Sequence, residues 1–162
     1  YGPRFSFPGQ VIPPGTAACK LMRMLIDCVS DFDVAGWRWP HFVPRELACH
    51  CGGRFCRGEY WHDPDFLDAL EVLRAAIGQP LVINSGHRCE LWNAHVGGAS
   101  HSMHRTIAVD IRLVGQNRFA LLKQAEAIGF TGFGLGRNFL HLDRRAKPAR
   151  WVYSGSADAW RT

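Results

Sequence analysis

Apolar residues recur every three or four positions between 66 and 77, a period that predicts a helix with one buried face. Asp63 followed by Pro64 is typical of an N-cap with proline at the first helical position. Gly78 supplies a stop signal at the other end. The pattern therefore predicts a helix between Asp63 and Gly78 whose buried stripe is Phe66, Leu67, Leu70, Leu73 and Ile77.

A second helical pattern runs from about 117 to 128 and ends at Gly129. Its predicted buried residues are Phe119, Leu122 and Ile128. Three short stretches predict strands, namely a buried run at 81–83, an alternating run at 107–113 and a last one at 139–143. Helices and short strands in this order predict an α+β fold, in which a small, mostly antiparallel sheet carries helices on one face.

The composition bounds the class of protein. Of the 162 residues, 47% are hydrophobic and 20% are charged, which is typical of a globular chain and excludes a disordered, collagenous or coiled-coil protein. The longest apolar run is far shorter than the roughly 20 residues that cross a bilayer, so we expect no membrane-spanning segment. Proline and glycine are dense over 1–18, and we predict an N-terminal arm or linker over 1–40, a main domain over 41–151 and a C-terminal tail over 152–162.

The formal net charge of +5 favours negatively charged partners, and DNA, an anionic cell wall or an acidic lipid would all qualify. The dense basic patch consists of Arg144, Arg145, Lys147 and Arg150. Such a patch is more often a solvated segment than a nucleic-acid site, so nucleic acid is not the expected partner.

Six cysteines are many for a reduced cytosolic enzyme, and three of them, Cys49, Cys51 and Cys56, cluster in the segment ACHCGGRFC. With His50 between the first two, this cluster could be a small structural zinc site. The alternative is buried thiols or disulfide halves, because Cys49-x-Cys51 lacks the two-residue gap of ordinary zinc ribbons. Both interpretations stay open.

The chemistry concentrates around two predicted strands. His101 and His104 precede the strand that contains Asp110, and His141 and Asp143 lie on one face of the last strand, because side chains two apart point the same way. Two imidazoles and one carboxylate leave a fourth position open for water, which is the catalytic arrangement of zinc. A single histidine is more often a core residue, whereas three candidate ligands together on adjacent strands favour a metal site.

Four segments of the chain resemble a known family. They are HFVPRELACHCGG, LDALEVLRAAIGQPLVINSGHRCELWNAHVGGASHSMH, IAVDIRL and GFTGFGLGRNFLHLDRRAKPARW. In this order they resemble the zinc peptidases of bacterial cell walls, the D-Ala-D-Ala carboxypeptidase and L-alanyl-D-glutamate endopeptidase group. That group shares its fold with lysostaphin and the hedgehog signalling domain, so the resemblance implies that fold and a zinc peptidase domain over 41–151.

The resemblance also implies a site. The family's three zinc ligands fall on His104, Asp110 and His141. Its SGYR turn matches SGHRC, so Arg88 is expected to hold a substrate carboxylate, a task that suits a planar guanidinium. Ser102 matches a serine that lies against the substrate, and the alternative for Ser102 is a turn cap.

The chain departs from the family at three places. It has five residues instead of six between His104 and the following aspartate, which shifts the strand register unless a bulge absorbs it, and His101 then competes as first ligand. Asn138 stands where many members carry a catalytic carboxylate, so Asp143 becomes the candidate base, or else an acceptor that orients a ligating imidazole. His87 replaces an aromatic residue in the SGYR turn, and it either binds substrate or has no role.

The implied function is zinc-dependent hydrolysis of an amide bond in the peptide stem of peptidoglycan, as a carboxypeptidase or an endopeptidase. The alternative is a zinc-binding module without turnover that binds cell wall or serves as a structural component of a phage tail. Enzymes of this kind occur in the bacterial periplasm and in phage particles, which are therefore the expected locations. A nucleic-acid-binding domain leaves the histidine and aspartate residues of the two strands unexplained.

Overall fold

A computed structural model describes residues 23–161, so the Pro-rich segment over 1–18 and Cys19 lie outside the described residues. The α-helices of these residues are α1 (Pro44–Leu47), α2 (Pro64–Ile77), α3 (Glu90–His95) and α4 (Arg118–Ile128). Their strands are β1 (Met24–Ile26), β2 (Tyr60–His62), β3 (Ile83–Ser85), β4 (Val109–Arg112), β5 (Gly132–Leu135), β6 (Phe139–Asp143) and β7 (Ala149–Val152). Short 3-10 helices lie at Val29–Asp31, Met103–Arg105 and Ala157–Trp160 within the described part of the chain.

Both long helices begin and end where the sequence predicts. The Asp63 carboxylate accepts a hydrogen bond from the backbone N–H of Phe66 at 3.1 Å, and Gly78 ends α2 in the left-handed region at φ +71°. At α4, Asn117 caps the first turn and Gly129 ends the helix at φ +99°.

The prediction that Phe119 is buried on α4 is wrong. Its side chain is 40% exposed, and Leu121 and Ala125 occupy the buried face instead. The Phe119 ring lies on the flank of the helix and meets the ring of Trp160 edge-on, at 5.8 Å between centroids. A residue from the end of the chain therefore covers an apolar side chain that the helix does not bury.

The main sheet has the strand order β3-β4-β6-β5-β7. All of its pairs are antiparallel except the parallel pair of β5 and β7, which confirms the predicted small, mostly antiparallel sheet of an α+β fold. Strand β6 has the predicted bounds, whereas β3 begins two residues later than the predicted strand at 81–83. Strands β5 and β7 were not predicted.

The two faces of the sheet differ in character. Val109 and Ile111 on β4 and Leu140 and Leu142 on β6 point to one face, where they share the core with side chains of α2 and α4. The helices thus cover this face, as predicted. The opposite face presents Asp110, His141 and Asp143 with Gly132 and Gly134, because side chains alternate along each strand.

The two ends of the described chain pack on this body. Strand β1 pairs with β2, and Trp39 is buried in the core, so the part of the predicted arm that follows residue 23 is packed. Near the other end, the Trp160 indole donates to the carbonyl of Gly136 at 2.8 Å. The predicted domain boundaries stay a prediction. Among the helices between residues 23 and 161, none combines the length and apolar character that a membrane crossing requires.

Candidate functional site

Three of the predicted site residues meet on the open face of the sheet. Strand pairing sets Asp110 directly opposite His141, and the 3-10 helix at Met103–Arg105 brings in His104. Asp110 Oδ1 lies 3.1 Å from His104 Nε2 and 3.0 Å from His141 Nδ1, and these two nitrogens are 3.0 Å apart. His101, the competing candidate for first ligand, lies outside this cluster with an exposed side chain.

The turn that carries His104 is tied down at several points. The Ser102 hydroxyl accepts from the backbone N–H of His104 at 3.3 Å, which is the turn-cap geometry. The carbonyl of His104 accepts from the backbone N–H of Arg88 at 2.6 Å. Ser102 also lines the cleft described below. It therefore caps the turn and, in addition, lies where it could contact a substrate.

The hydrogen bonds on the outer ring nitrogens of His104 and His141 leave the inner ring nitrogens available to bind a metal. His104 Nδ1 donates to the carbonyl of Gly86 at 2.6 Å, and His141 Nε2 donates to Asp143 Oδ2 at 3.0 Å. When both imidazoles are neutral, each therefore turns a lone pair toward Asp110 Oδ1, and three acceptors converge on one point. When an imidazole is protonated, its inner N–H donates to Asp110 instead. Two nitrogens and a carboxylate oxygen in this arrangement suit a divalent cation such as zinc, so the donor set fits a metal.

The titration of the cluster follows from burial and charge. Burial disfavours the ionised form of Asp110, but hydrogen bonds from His104 and His141 outweigh burial and lower the pKa of Asp110. Burial lowers the pKa of His104, which keeps this imidazole neutral and able to bind a metal. The pKa of His141 is raised, because the carboxylates of Asp110 and Asp143 outweigh burial there.

Asp143 lies behind His141, on the side of the ring that faces away from the three converging atoms. Its carboxylate is wholly buried, and the Arg145 side chain binds both of its oxygens in addition to the bond from His141. Burial opposes ionisation of Asp143, but His141 and Arg145 lower its pKa below the ordinary value. Gly132 leaves room for this carboxylate, since a Cβ at position 132 would overlap it. The catalytic role of Asp143 stays a prediction.

Arg88 lies beside the cluster and holds one of its members. Its Nη2 donates to Asp110 Oδ2 at 2.7 Å, and its Nε donates to Ser85 Oγ at 2.9 Å. Strand β3 bulges between Ile83 and Ser85, where two of its residues face one residue of β4, and this irregularity brings Ser85 opposite Asp110. Two of the five guanidinium N–H groups are used in these bonds, which leaves donors for a further carboxylate.

A cleft of about 390 Å³ opens onto the cluster. Besides the three clustered residues, it is lined by Arg88, His101, Ser102, Arg145, Trp151 and Tyr153. A larger cleft of about 860 Å³ lies beside α2 and contains none of the candidate ligands, so we assign the chemistry to the smaller one.

Sequence reasoning missed three residues of this cleft. The Arg145 guanidinium lies over the Trp151 ring at 4.9 Å, and Trp151 in turn lies 5.1 Å from the His141 ring between centroids. Tyr153 follows two residues later beside Trp151. Trp151 belongs to the last of the resembling segments, but its contact with His141 depends on the parallel pairing of β7 with β5, which no local pattern shows.

His87 does not line the cleft. Its ring is buried, with Nδ1 at 2.9 Å from the carbonyl of Thr106 and Nε2 at 3.5 Å from Glu59 Oε2. These contacts favour the second of its two predicted outcomes, a residue without a role in substrate binding.

The chain matches a family of known proteins over the region that carries the candidate site. A model of the family described as Peptidase M15 matches residues 40–143, nearly two thirds of the chain. The matched range contains Arg88, Ser102, the three clustered residues and Asp143. A search of curated proteins found no match.

Proposed function

The chain belongs to the peptidase M15 family, and from that premise we propose that it hydrolyses an amide bond in the peptide stem of bacterial peptidoglycan. The family match confirms the resemblance to D-Ala-D-Ala carboxypeptidase-like zinc peptidases. M15 peptidases are metallopeptidases that generally depend on zinc. The observation that carries the proposal is the convergence of three acceptor atoms of His104, Asp110 and His141 at the floor of an open cleft.

These three residues would hold the metal. A bound zinc ion supplies a water of lowered pKa and polarises the scissile carbonyl. Gly86 and Asp143 fix the two imidazoles by their outer nitrogens, so both rings present a lone pair without rearrangement. Arg88 holds the Asp110 carboxylate in the same way.

The charge of the cleft suits a substrate with free carboxylates. The guanidinium groups of Arg88 and Arg145 line it, and each retains donors beyond those used for Asp110 and Asp143. We assign the substrate carboxylate to Arg88, because a guanidinium grips a carboxylate with two parallel hydrogen bonds. Stem peptides of peptidoglycan carry such carboxylates.

The proton of the attacking water needs an acceptor, and we place it at His101 rather than at Asp143. In the described part of the chain, the titratable side chains that line the cleft, apart from the three ligands and two arginines, are His101 and Tyr153. Burial raises the pKa of Tyr153, so its phenol stays protonated. Histidine is the side chain that most often acts as a general base, whereas the Asp143 carboxylate is already engaged by His141 and Arg145.

One observation favours a second function, a zinc module that binds peptidoglycan stem peptides without turnover. Among the residues between 23 and 161 that line the cleft, Asp110 is the sole carboxylate, and Asn138 lies exposed outside the lining. A site without a strong base would retain metal and ligand binding. The experiment below separates the two functions.

The substrate implies where the protein acts. Peptidoglycan is accessible from the periplasm or to a phage particle at the cell surface, and we propose these two locations. Nucleic acid is not the expected partner. Of the basic residues noted above, Arg144 donates to the carbonyl of Asp65, Arg145 binds Asp143 and Arg150 pairs with Glu126.

The test combines zinc analysis with digestion of purified peptidoglycan, whose released peptides are identified by mass. We expect the native protein to release stem fragments and His104→Ala to lose one zinc per chain. The variant should lose more activity than the roughly 100-fold that removal of an outer hydrogen-bond partner costs. The masses of the products distinguish removal of a terminal D-Ala from a cut within the stem.

His41→Ala is the matched control, because His41 is a surface histidine paired with Glu71 and distant from the cleft. It should retain zinc and activity. Digestion by His104→Ala at the native rate would overturn the proposal. Zinc bound through His104, with binding to peptidoglycan but no released peptide, would identify the binding module.

A further inference from the structure

Four cysteine side chains meet in a second cluster, apart from the candidate active site. Cys49, Cys51 and Cys56 belong to the loop that follows α1, and Cys89 caps the start of α3. Their four Sγ atoms all lie within 4.8 Å of one another. We propose that Cys49, Cys51, Cys56 and Cys89 bind a second, structural zinc ion. This inference does not depend on the proposed function.

The spacing of the sulfur atoms matches a tetrahedral site. A tetrahedron with Zn–S bonds of about 2.3 Å sets its sulfur atoms roughly 3.8 Å apart. The Sγ atoms of Cys51 and Cys56 are 3.5 Å apart, and no pair in the cluster exceeds 4.8 Å. A small adjustment of side chains therefore suffices to place one ion at equal distance from all four.

Every one of the four sulfurs also accepts a backbone hydrogen bond. The N–H groups of Cys56 and Glu59 point to the sulfurs of Cys51 and Cys56, each at 3.4 Å. Those of Cys89 and Trp92 point to the sulfurs of Cys49 and Cys89, at 3.3 and 3.4 Å. Backbone N–H groups that point at a sulfur are the outer hydrogen bonds that hold a metal ligand in place.

Glycines turn the loop after α1 so that its three cysteines come close together. Gly52 and Gly53 have φ of +66° and +81°, and Gly58 has φ of +88°, a region that other residues rarely adopt. These glycines turn the chain after Cys51 and again after Cys56. The rings of Phe55 and Trp92 pack against the cluster. Four protein ligands and an apolar cover describe a closed structural site with no position for substrate or water.

A disulfide is the competing chemistry. Between residues 23 and 161, each cysteine that the structure describes is a free thiol. Four mutually close sulfurs, each with its own N–H donor, fit one shared cation better than two neutral S–S bonds about 2.05 Å long. The experiment below distinguishes the two.

The second zinc would stabilise the turn that serves the candidate active site. Cys89 directly follows Arg88, and Gly86 of the same turn accepts from His104 Nδ1. Gly86 also packs so tightly against the backbone of Leu47 that a Cβ at position 86 would overlap it. An ion that joins the loop after α1 to Cys89 therefore stabilises the position of Arg88 beside Asp110.

The test measures zinc and iron per chain in the native protein and in three cysteine variants. We expect two zinc ions in the native protein, and one in Cys51→Ser and in Cys89→Ser. Cys28→Ser is the matched control, since Cys28 is a free thiol outside the cluster, and it should keep both ions. His104→Ala should retain the thiol-bound ion, so a failure of the proposed active site is distinguishable from a failure here.

A second measurement needs no variant. An organomercurial titration of the native protein should release this zinc to a chromogenic chelator as the thiols react, and cobalt substitution should produce the sulfur-to-metal charge-transfer band of a tetrathiolate site. Disulfides, detected as a loss of two hydrogens per bond in the intact mass, would overturn the proposal. Iron in place of zinc, or unchanged zinc in both cluster variants, would do the same.

Discussion

At the scale of single residues, His141 is the side chain on which the candidate site depends. Its Nδ1 faces Asp110 and its Nε2 donates to Asp143, so a carboxylate lies at each end of one ring. Asp143 is in turn held by Arg145. The outer carboxylate selects the tautomer and the orientation of the ring, and thereby directs the inner lone pair toward the metal.

Asp143→Asn should weaken zinc binding by about 10–100-fold. The reason is that the amide lacks the negative charge through which Asp143, itself held by Arg145, fixes the His141 imidazole. Activity should recover when zinc is added to saturation, since the substitution leaves the reacting groups in place. The measurement is a zinc titration followed by digestion of peptidoglycan at saturating zinc.

The opposite pattern would assign Asp143 the catalytic role that the sequence suggested. Zinc affinity would then stay at the native value while turnover fell and did not recover with added metal. Asp158→Asn is the control, because Asp158 pairs with Arg161 on the surface and touches neither site. It should behave as the native protein does.

The lowered pKa values of Asp110 and Asp143 predict acid sensitivity of the metal-free protein. The unfolded chain takes up protons on these carboxylates near their ordinary pKa of about 3.9, before the folded protein does, so their stabilisation is lost as the pH falls below that value. The urea midpoint should therefore be lower at about pH 3 than at about pH 5.

The contribution of His141 to stability depends on pH in the opposite direction. Its pKa is raised, so its contribution is complete below the ordinary histidine value of about 6.5 and does not change between those two conditions. The decrease in urea midpoint between about pH 5 and about pH 3 should be smaller in Asp143→Asn, which lacks one of the two carboxylates. An equal decrease in the variant would show that Asp143 does not contribute to the acid sensitivity.

At the scale of elements, the site depends on how β5 lies beside β6. Gly132 is paired with Asp143 and Gly134 with His141, so glycines face the two bulky polar residues across the strand pair. A Cβ at either position would overlap the side chain above it, namely the carboxylate of Asp143 or the ring of Trp151. Because β5 has glycine at both positions on this face, it leaves room for Asp143 and Trp151 beside His141.

Gly132→Ala should displace the Asp143 carboxylate and lower both zinc affinity and peptidoglycan digestion. Gly115→Ala is the matched control, because Gly115 has φ of +82° and open space around it. That control should cost stability by about 1–2 kcal/mol through backbone strain alone and leave zinc affinity unchanged. Equal zinc affinities in the two variants would contradict the role given to Gly132.

At the scale of the whole molecule, the end of the described chain contributes to the fold. The 3-10 helix at Ala157–Trp160 places the Trp160 indole on the carbonyl of Gly136, which follows β5. The same ring lies beneath the guanidinium of Arg118 and against Phe119, both on α4. This contact joins the 3-10 helix Ala157–Trp160, which lies in the segment predicted as a tail, to the sheet and to α4.

Trp160→Ala should lower the free energy of unfolding by about 2 kcal/mol, less than the roughly 3–5 kcal/mol typical of a wholly buried Trp, because this ring is partly exposed. Trp160→Phe should cost less, since it retains the ring contacts and loses the hydrogen bond. Urea unfolding measures both, and zinc content should be native in each. An unchanged midpoint in Trp160→Ala would mean that the segment contributes nothing to stability.

The sequence by itself determined the elements whose signals are local. Helices α2 and α4 follow from apolar period and from the capping residues Asp63 and Asn117, and β6 follows from its own alternation. The candidate ligands were also identifiable in advance, because the resemblance assigns His104, Asp110 and His141. These predictions succeed where the interacting residues are a few positions apart or belong to a recognisable motif.

Tertiary structure decided everything that depends on pairing between distant segments. Strand β5 reads GFGL and has weak strand propensity, yet it forms because β6 and β7 flank it. Cys89 is 40 residues from Cys49, and Trp151 reaches His141 through a parallel strand. Loop closure and strand register place these groups together, and neither is encoded in the spacing of residues along one segment.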